Sequence, residues 1–414
     1  MNLLLSKVGR KMHEKGAAGA CLAALQRISR KASHKWEFDL IFPHEVRTHA
    51  RRSLPCDLGQ INERTLTYIE SNRHPAGGIG SFSYTNGGPA LLYASAYAAL
   101  TLHLCGKMGA IPASEKREWA NFILSYQCED GIFRDRRLDC PLAEKCDWWG
   151  WRHMTLHALM ALRALDARAS KPFLQIAPFA RKGKMQDWLE ARDWKRDPTD
   201  VSSEIQNLGT FLQYARDFQD AGWCEVVLEE MFDWLDRKQD AKTGLWGDRF
   251  DTPAKLASGV QTGYHLWMLY FYDQRPVCHV DRVIDSCLKT QNKFGGFGLP
   301  PNTGACEDID TIDPLVRLSL RTNYRREDVQ ECLKRSLSWV LFHQNTDGGW
   351  VFRRRQAFEY GHRLMRSEKQ ESAMFASWFR TLSLAHLSQI LPQRLISPYP
   401  WQFLDCPGHQ FWKG

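Results

Sequence analysis

Long apolar segments alternate along this chain with segments in which apolar and charged positions recur at a helical period. The apolar segments are 89–106, 148–165, 258–272 and 371–391. They carry few charges, and apolar or aromatic residues occupy nearly every position around the helical wheel. A helix of this kind is buried on every side, whereas a helix with one polar face lies at a surface. The segments before them, such as 119–127 and 333–344, have the amphipathic period. The pattern predicts pairs of helices, one buried and one exposed.

A short motif, Gln-x-x-x-Gly-x-aromatic, ends the amphipathic segments. It runs from Gln127 to Phe133, from Gln291 to Phe297 and from Gln344 to Trp350. A copy with one extra residue runs from Gln239 to Trp246, and a degenerate copy covers 72–79. Glycine supplies turn conformations that other residues reach only at a cost. We therefore expect equivalent turns at the motif glycines, which are Gly77, Gly131, Gly244, Gly295 and Gly348.

The spacing of these glycines predicts the fold. The successive steps are 54, 113, 51 and 53 residues, so the long step spans two periods and contains a hidden unit. We place the helices of that unit at 184–194 and 201–218. A repeat of about fifty residues indicates one supersecondary unit that is stacked many times. Six helical hairpins would form an all-α fold with inner and outer rings, an (α/α)6 toroid over residues 56–391, with residues 392–414 as a tail packed on it.

Charge is concentrated at the N-terminus. Residues 1–52 hold eleven Lys or Arg against four Asp or Glu, which accounts for +7 of the chain's net charge of +8. We interpret residues 1–55 as a basic amphipathic, helical extension. Residues 1–35 would suit an anionic membrane surface, and a solvated helix docked on the toroid is the alternative. No nucleic-acid partner is expected, because no aromatic residue is interleaved with these charges before Trp36.

The cysteines indicate a reducing compartment. All 12 are scattered without a Cys-x-x-Cys pair, which favours reduced thiols in the cytoplasm over disulfides. The predicted location is therefore cytoplasmic, with peripheral attachment to the inner membrane if the basic extension binds lipid. Cys128, Cys140 and Cys146 do not have the spacing of a typical zinc site. We expect no metal and no other cofactor.

The Gln-x-x-x-Gly-x-aromatic repeats resemble those of the terpenoid cyclase and protein prenyltransferase superfamily, which includes the squalene-hopene cyclases. The resemblance covers about residues 60–391. It implies a toroid in which the motif joins the end of an outer helix to its turn, with the Gln amide stacked on the aromatic ring. It also implies an isoprenoid or other lipid-like substrate in the central cavity. The same toroid serves several chemistries, so function must be argued from the site.

An acidic segment is the candidate catalytic site. Glu307-Asp308-Ile309-Asp310-Thr311 is similar in part to the Asp-x-Asp-Asp-Thr motif of class II cyclases, in which a carboxylic acid protonates an alkene or epoxide. It departs from that motif in its first and central residues. Neighbouring carboxylates and a dry cavity keep such an acid protonated. We predict Asp310 as the general acid, with Asp308 and Glu307 as its modulators.

Pro314 suggests a different role for the same carboxylates. Proline favours the first turn of a helix, which would make Asp313 the N-cap. The segment from Glu307 to Asp310 would then lie in the preceding loop, at the rim of the cavity. In that case the carboxylates would only stabilise the start of a helix.

Aromatic, imidazole and guanidinium groups are the candidates for substrate binding. Aromatic faces stabilise a carbocation, and arginines in the loop 351–369 would suit a diphosphate head. His153 and His157 lie one helical turn apart, and a core pair is more expected there than a metal site. The predicted binding residues are Tyr93, Tyr97, Trp148, Trp151, His153, Tyr264, His265, Trp378, Arg353, Arg354 and Arg363.

Three functions stay open at this point. The first is an isoprenoid-handling enzyme related to cyclases and prenyltransferases. Cyclases of this type place their site between two domains and the prenyltransferases need a second subunit, so a single toroid implies either a partner subunit or a smaller substrate. The second is a glycan-active six-hairpin enzyme, a hydrolase or lyase with paired carboxylates. The third is a non-catalytic toroid that binds a lipid or a protein.

Overall fold

The computed structural model describes residues 42–74, 77–195 and 197–408. Within these ranges the chain is mostly helical, which confirms the all-α class. The helices are α1 (Phe42–Arg52), α2 (Leu58–Ser71), α3 (Leu92–Leu104), α4 (Ala113–Leu124), α5 (Pro141–Lys145), α6 (Gly150–Ala164), α7 (Lys184–Glu190), α8 (Pro198–Phe218), α9 (Cys224–Lys238), α10 (Pro253–Tyr272), α11 (Val280–Lys289), α12 (Ala305–Ser319), α13 (Arg326–Leu341) and α14 (Met374–Leu387).

Short elements complete the described chain. Turns of 3-10 helix occur at Met108–Ala110, Arg136–Leu138, Leu174–Ala180 and Arg363–Met365. Two strands, β1 (Phe358–Glu359) and β2 (Arg366–Ser367), pair antiparallel within the long loop before α14. The chain divides after Ser53 into two compact units, and α1 belongs to the first of them. The membrane-binding segment predicted at residues 1–35 lies outside the described residues.

The buried helices contact one another in a closed order. They are α3, α6, α8, α10, α12 and α14, and each contacts the next, with α14 returning to α3. In α3 almost every side chain from Leu92 to Leu104 is buried, as its apolar sequence predicts. The helices between them flank this closed set: α2, α4, α11 and α13 each contact the buried helix that follows, and α9 contacts the buried α8 before it. The hidden third unit is present as α7 and α8.

The motif glutamines join neighbouring units. The side-chain amide of Gln127 donates to the Gly131 carbonyl at 3.1 Å and to the Lys171 carbonyl at 3.2 Å. The amides of Gln239 and Gln291 do the same toward their own turns and toward Cys278 and Cys332. Gln344 donates to Gly348 at 3.1 Å and to the Ile61 carbonyl of the first unit at 3.2 Å. The last repeat is therefore hydrogen-bonded to the first.

The turn glycines are required by both conformation and space. Gly131, Gly244, Gly295 and Gly348 have φ between +71° and +100°, which favours glycine. A Cβ at Gly348 would lie 2.1 Å from the Arg64 carbonyl of the first unit. The first copy of the motif differs from this arrangement.

In the first unit the bridge joins Arg73 to Phe82, where the other units join Gln to an aromatic residue. A Cβ at Gly77 would meet Ser81 of its own loop and not a neighbouring unit. The predicted equivalence of Gly77 with the other turn glycines is therefore wrong. The loop between Arg73 and Phe82 is longer than the motif, so its glycine is not held at the same contact.

The predicted start of α12 is also wrong. The helix begins at Ala305 with Gly304 as its N-cap, and Pro314 lies inside it. The Glu307 carboxylate accepts the Gly304 N–H at 2.6 Å and so caps the helix well before the proline. Pro314 merely removes the N–H that would donate to the Asp310 carbonyl. The carboxylates from Glu307 to Asp313 therefore lie on the helix and not in a loop before it.

The segment after α14 runs along the ends of α3 and α14. The Gln402 N–H donates to the Leu104 carbonyl at 2.9 Å, and the Tyr399 hydroxyl to the Cys105 carbonyl at 3.0 Å. The Trp401 indole donates to the Ser388 hydroxyl at 2.9 Å. In the part of the chain that the structure describes, no helix combines the length and the apolar character needed to cross a membrane.

Candidate functional site

A cavity of about 280 Å³ opens among the buried helices and the loop before α14. We call it the central cavity. Helices α6, α8, α10, α12 and α14 each contribute to its wall, and the loop 351–372 closes one side. Its lining residues are Trp148, His153, Thr199, Gln261, Tyr264, His265, Cys306, Glu307, Asp310, Phe352, Arg353, Phe358, Glu359, Tyr360 and Phe379.

Asp310 has a buried carboxyl group on the wall of the central cavity. Its side chain is 6% exposed and lines the central cavity. Among the residues that the structure describes, no hydrogen bond or ion pair reaches this carboxyl. Burial raises the pKa of Asp310 well above its usual value, and the charges of Glu307, Asp308 and Asp313 raise it further. Both effects favour the protonated, neutral form of this carboxyl group.

Asp308, two residues earlier, has a structural role. It is fully buried and accepts the Phe297 N–H at 2.9 Å, the Thr303 hydroxyl at 2.9 Å and the Trp339 indole at 2.8 Å, and it pairs with Arg380. These four partners occupy both carboxylate oxygens. Its charge acts on Asp310, but its oxygens are not available to a ligand.

The repeat explains why Asp308 is there. In the second and sixth units the N–H of the motif aromatic donates to a hydroxyl on the following buried helix, from Phe133 to Thr155 and from Trp350 to Ser377. Asp308 receives the corresponding bond from Phe297. Asp308 therefore occupies the position that Thr155 and Ser377 have in the second and sixth units. The Arg380 guanidinium balances the negative charge that a carboxylate brings to this buried position.

Glu307 links the start of α12 to the loop before α14. Its carboxylate accepts the Gly304 N–H and forms an ion pair with the Arg353 guanidinium. Arg353 also lies over the Phe352 ring, 5.3 Å from its centroid. The Nε–H of Arg353 is buried, and no hydrogen-bond partner for it occurs within the described ranges. This donor belongs to a residue that lines the central cavity.

Two neutral histidines lie on the cavity wall. The His153 ring is hydrogen-bonded at Nδ1 to the Tyr93 hydroxyl at 2.8 Å and at Nε2 to the Tyr360 hydroxyl at 3.3 Å. The His265 Nδ1 lies 3.0 Å from the Ser202 hydroxyl. Burial lowers the pKa of His153 well below its usual value and the pKa of His265 to about 4. Both imidazoles are therefore neutral at pH 7.

The loop before α14 supplies much of the aromatic wall. The rings of Phe352 and Phe358 stack at 3.5 Å, and the Tyr360 ring lies 4.2 Å from Phe375. The Tyr360 hydroxyl donates to the Trp148 carbonyl at 2.9 Å. At Gly361, with φ of +71°, a Cβ would meet the Trp149 ring. These contacts hold the loop against the start of α6 and bring its aromatic residues to the cavity.

The structure brings together part of the predicted site. The residues of the prediction that line the central cavity are Trp148, His153, Tyr264, His265, Glu307, Asp310 and Arg353. Tyr93 and Tyr97 lie behind the wall, with their rings against His153 and His157. Trp151 is buried but does not line the cavity. Trp378 lies at a different, very small cavity with His103 and Phe403.

Two of the predicted arginines do not lie at the cavity. The Arg354 guanidinium donates to the Phe342 and Gln344 carbonyls at 2.7 Å each and also to the Asn345 side chain. Arg363 is exposed on a 3-10 turn. The cavity residues that the prediction missed are Thr199, Gln261, Cys306, Phe352, Phe358, Glu359, Tyr360 and Phe379. The aromatic residues spaced through the loop 351–369 were the available signal for three of them.

Metal ligands do not cluster in the described chain. No group of three or more His, Cys, Asp or Glu side chains there could hold a metal ion. The cysteines of this part of the chain are free thiols, and Cys128, Cys140 and Cys146 are among them.

Comparison with protein-family models gives no match for this chain, and comparison with curated protein sequences gives none. Among solved structures, the crystal structure of a protein from Actinoplanes is similar, with a TM-score of 0.42 and 12% sequence identity, over 80% of this chain and 99% of that one. A similarity of this degree assigns neither a family nor an activity.

Proposed function

We propose that residues 56–391 form an (α/α)6 toroid of the terpenoid cyclase and prenyltransferase type. The closed order of contacts among the buried helices supports this. So does the hydrogen bond from Gln344 in the last unit to the Ile61 carbonyl in the first. In this arrangement the central cavity lies where the buried helices meet, and the loops after the motif turns surround its opening.

We propose further that the protein is an isoprenoid-handling enzyme in which Asp310 is the general acid. The observation that carries the proposal is a buried carboxyl group on the wall of a cavity, with a raised pKa and with no hydrogen bond or ion pair to it among the described residues. An acid needs a raised pKa to hold its proton at neutral pH and a dry wall to make the transfer effective. A carbon–carbon double bond is the acceptor that an apolar cavity would present.

The chemistry begins with proton transfer from Asp310 to one carbon of the double bond. A C–H bond forms, the π bond is lost, and a carbocation and the Asp310 carboxylate remain. The faces of Tyr264, Phe352 and Phe379 can stabilise the cation. After attack by a second double bond, a proton leaves the adjacent carbon for a neutral imidazole, His153 or His265. The product is an isomer of the substrate, and the acid regains its proton before the next turnover.

The size of the cavity favours a short substrate. Its volume of about 280 Å³ is at the lower end of the roughly 300–1,000 Å³ that ligand pockets span. A single toroid implies either a partner subunit or a smaller substrate, and this volume favours the smaller substrate. We propose an isoprenoid of about ten to fifteen carbons.

The carboxylates argue against a glycan substrate. A glycosidase needs two carboxyl groups on opposite sides of the scissile bond, about 5 to 9.5 Å apart. Glu307 and Asp310 lie one turn apart on the same helix, and Glu307 is held by Arg353 and Gly304. Six of the fifteen residues that line the cavity are Trp, Tyr or Phe. Carboxyl groups on one side of a cavity that also has aromatic walls suit an isoprenoid better than a sugar.

Product analysis tests the proposal. The purified protein is incubated with ten- and fifteen-carbon isoprenoids, and the products are separated by gas chromatography and mass spectrometry. We expect an isomer of unchanged mass from the wild type and none from Asp310→Asn. Asp281→Asn, on the exposed side of α11, is the matched control and should retain activity. Product formation by Asp310→Asn at the wild-type rate would contradict the role of Asp310.

A further inference from the structure

The polar groups of the central cavity indicate which end group the substrate carries. We propose that the head of the substrate is a neutral oxygen, as in an alcohol, aldehyde or ketone, and that the Arg353 guanidinium binds it. The inference rests on the proposed isoprenoid substrate and names its class. It follows from the donors that face the cavity and from the balance of charge around them.

Arg353 supplies a donor and little net positive charge. Its Nε–H is buried without a partner in the described chain, while its terminal amino group is paired with Glu307. Arg353 lines the cavity and pairs with Glu307 through one of its terminal nitrogens, so its other terminal nitrogen can donate to one acceptor oxygen. Because Glu307 already neutralises the guanidinium, a second anion would gain much less there than a neutral oxygen acceptor would.

Three other arginines of the loop do not reach the cavity. Arg354 uses its donors on the Phe342 and Gln344 carbonyls, and Arg366 pairs with Glu368 at 2.8 Å. Arg363 is exposed and does not line the cavity. A diphosphate is bound in proteins by several cations or by a metal ion. The central cavity offers one arginine, and that arginine is already paired.

The remaining charges act against an anionic head as well. Glu307 and the exposed Glu359 line the cavity, the raised pKa of Asp310 favours its neutral form, and the lowered pKa values of His153 and His265 leave both imidazoles neutral. The wall therefore carries one positive charge against two negative ones. Like charges brought together in a partly buried site repel strongly, so a highly charged head would be excluded while a neutral one would not.

The position of Arg353 also places the head relative to the acid. Arg353 is bonded to Glu307, and Glu307 precedes Asp310 by one helical turn. Side chains three residues apart on a helix have Cβ atoms about 5–6 Å apart. The head oxygen and the double bond that Asp310 protonates would thus lie close together, which suits a short substrate.

A ligand series with a constant tail tests this inference. Ten-carbon isoprenoids that end as a hydrocarbon, alcohol, aldehyde, carboxylate or diphosphate are titrated into the full-length protein by isothermal calorimetry. We expect the alcohol and aldehyde to bind most tightly and the diphosphate most weakly. Arg353→Met and Arg353→Lys should weaken aldehyde binding by roughly ten- to a hundredfold and leave hydrocarbon binding unchanged. Arg366→Met, on the exposed hairpin, is the control and should match the wild type.

The outcomes separate this inference from the proposed activity. Tightest binding by the diphosphate, or unchanged aldehyde affinity in both Arg353 variants, would overturn it even if the enzyme is active. Loss of hydrocarbon binding together with aldehyde binding would also overturn it, because the effect would then be structural. The expected ranking without any product in the turnover assay would support the neutral head and contradict catalysis by Asp310.

Discussion

The carboxylate of Asp308 and the guanidinium of Arg380 form an ion pair in which neither side chain is exposed to solvent. The pair joins α12 to α14, and the Trp339 indole of α13 donates to the same carboxylate at 2.8 Å. Three helices therefore converge on one buried charge. Removing the arginine alone would leave that charge unpaired in the interior, which is much more costly than losing an exposed pair.

We expect Arg380→Met to lower the free energy of unfolding by about 3–5 kcal/mol. Arg325→Met is the matched control, since Arg325 pairs with Asp285 and Asp328 near the surface, and such pairs contribute about 0–1 kcal/mol. Urea denaturation of both variants measures the difference. Equal losses in the two would mean that the Asp308–Arg380 pair does not support the fold.

The contact between the last and first units is tested at Gly348. Gly348 has φ of +89°, and a Cβ added there would lie 2.1 Å from the Arg64 carbonyl oxygen. Gly87 has φ of +77° with nothing within 4 Å, so it isolates the cost of backbone conformation, about 1–2 kcal/mol. We expect Gly348→Ala to lower the melting temperature clearly more than Gly87→Ala. A difference near zero would indicate that the closing contact contributes no stability.

These residues show which parts of the fold the sequence determines. The turns at Gly131, Gly244, Gly295 and Gly348 were predictable because a positive φ favours glycine and the repeat marks the positions. The start of α12 was not predictable from Pro314, because the capping bond between Glu307 and Gly304 overrides the local preference of proline. A proline shows where a helix can begin, but tertiary contacts decide whether it continues upstream.

Asp310→Asn should change how stability depends on pH. Because burial raises the pKa of Asp310, the folded state binds a proton that the unfolded state has lost above about pH 4. The stability of the wild type must then fall as pH rises, by at most about 1.4 kcal/mol per unit. The variant lacks this loss, so its advantage should grow from pH 5 to pH 8. Urea denaturation across that range measures it, with Asp281→Asn as the control.

His265 gives the opposite dependence. Burial lowers its pKa to about 4, whereas an unfolded chain would bind the proton near pH 6.5. Stability is therefore lost as pH falls from about 6.5 to 4. We expect His265→Asn to flatten the stability profile in this window, measured by thermal unfolding, while the exposed His44→Asn leaves it as steep as in the wild type. If the stability of His265→Asn falls with pH as steeply as that of the wild type, then His265 is not buried in its neutral form.

The candidate site was predictable only in part. Asp310 could be recognised because four acids occur within seven residues, more than helix capping requires. The structural role of Asp308 could not, because its partners Trp339 and Arg380 are distant in sequence. The contribution of Phe358 and Tyr360 to the cavity wall was not predicted for the same reason. The loop was expected to contribute arginines to the site, and its packing against α6 depends on residues that are distant in sequence.

Turnover in deuterium oxide tests the central claim most directly. If Asp310 donates the proton that starts the reaction, its exchangeable hydrogen equilibrates with the solvent before each turnover. The product of the wild type should then carry one deuterium on carbon and be one mass unit heavier than in ordinary water, and Asp310→Asn should form no labelled product. Unlabelled product from the wild type, or labelled product from Asp310→Asn at the wild-type rate, would contradict the account.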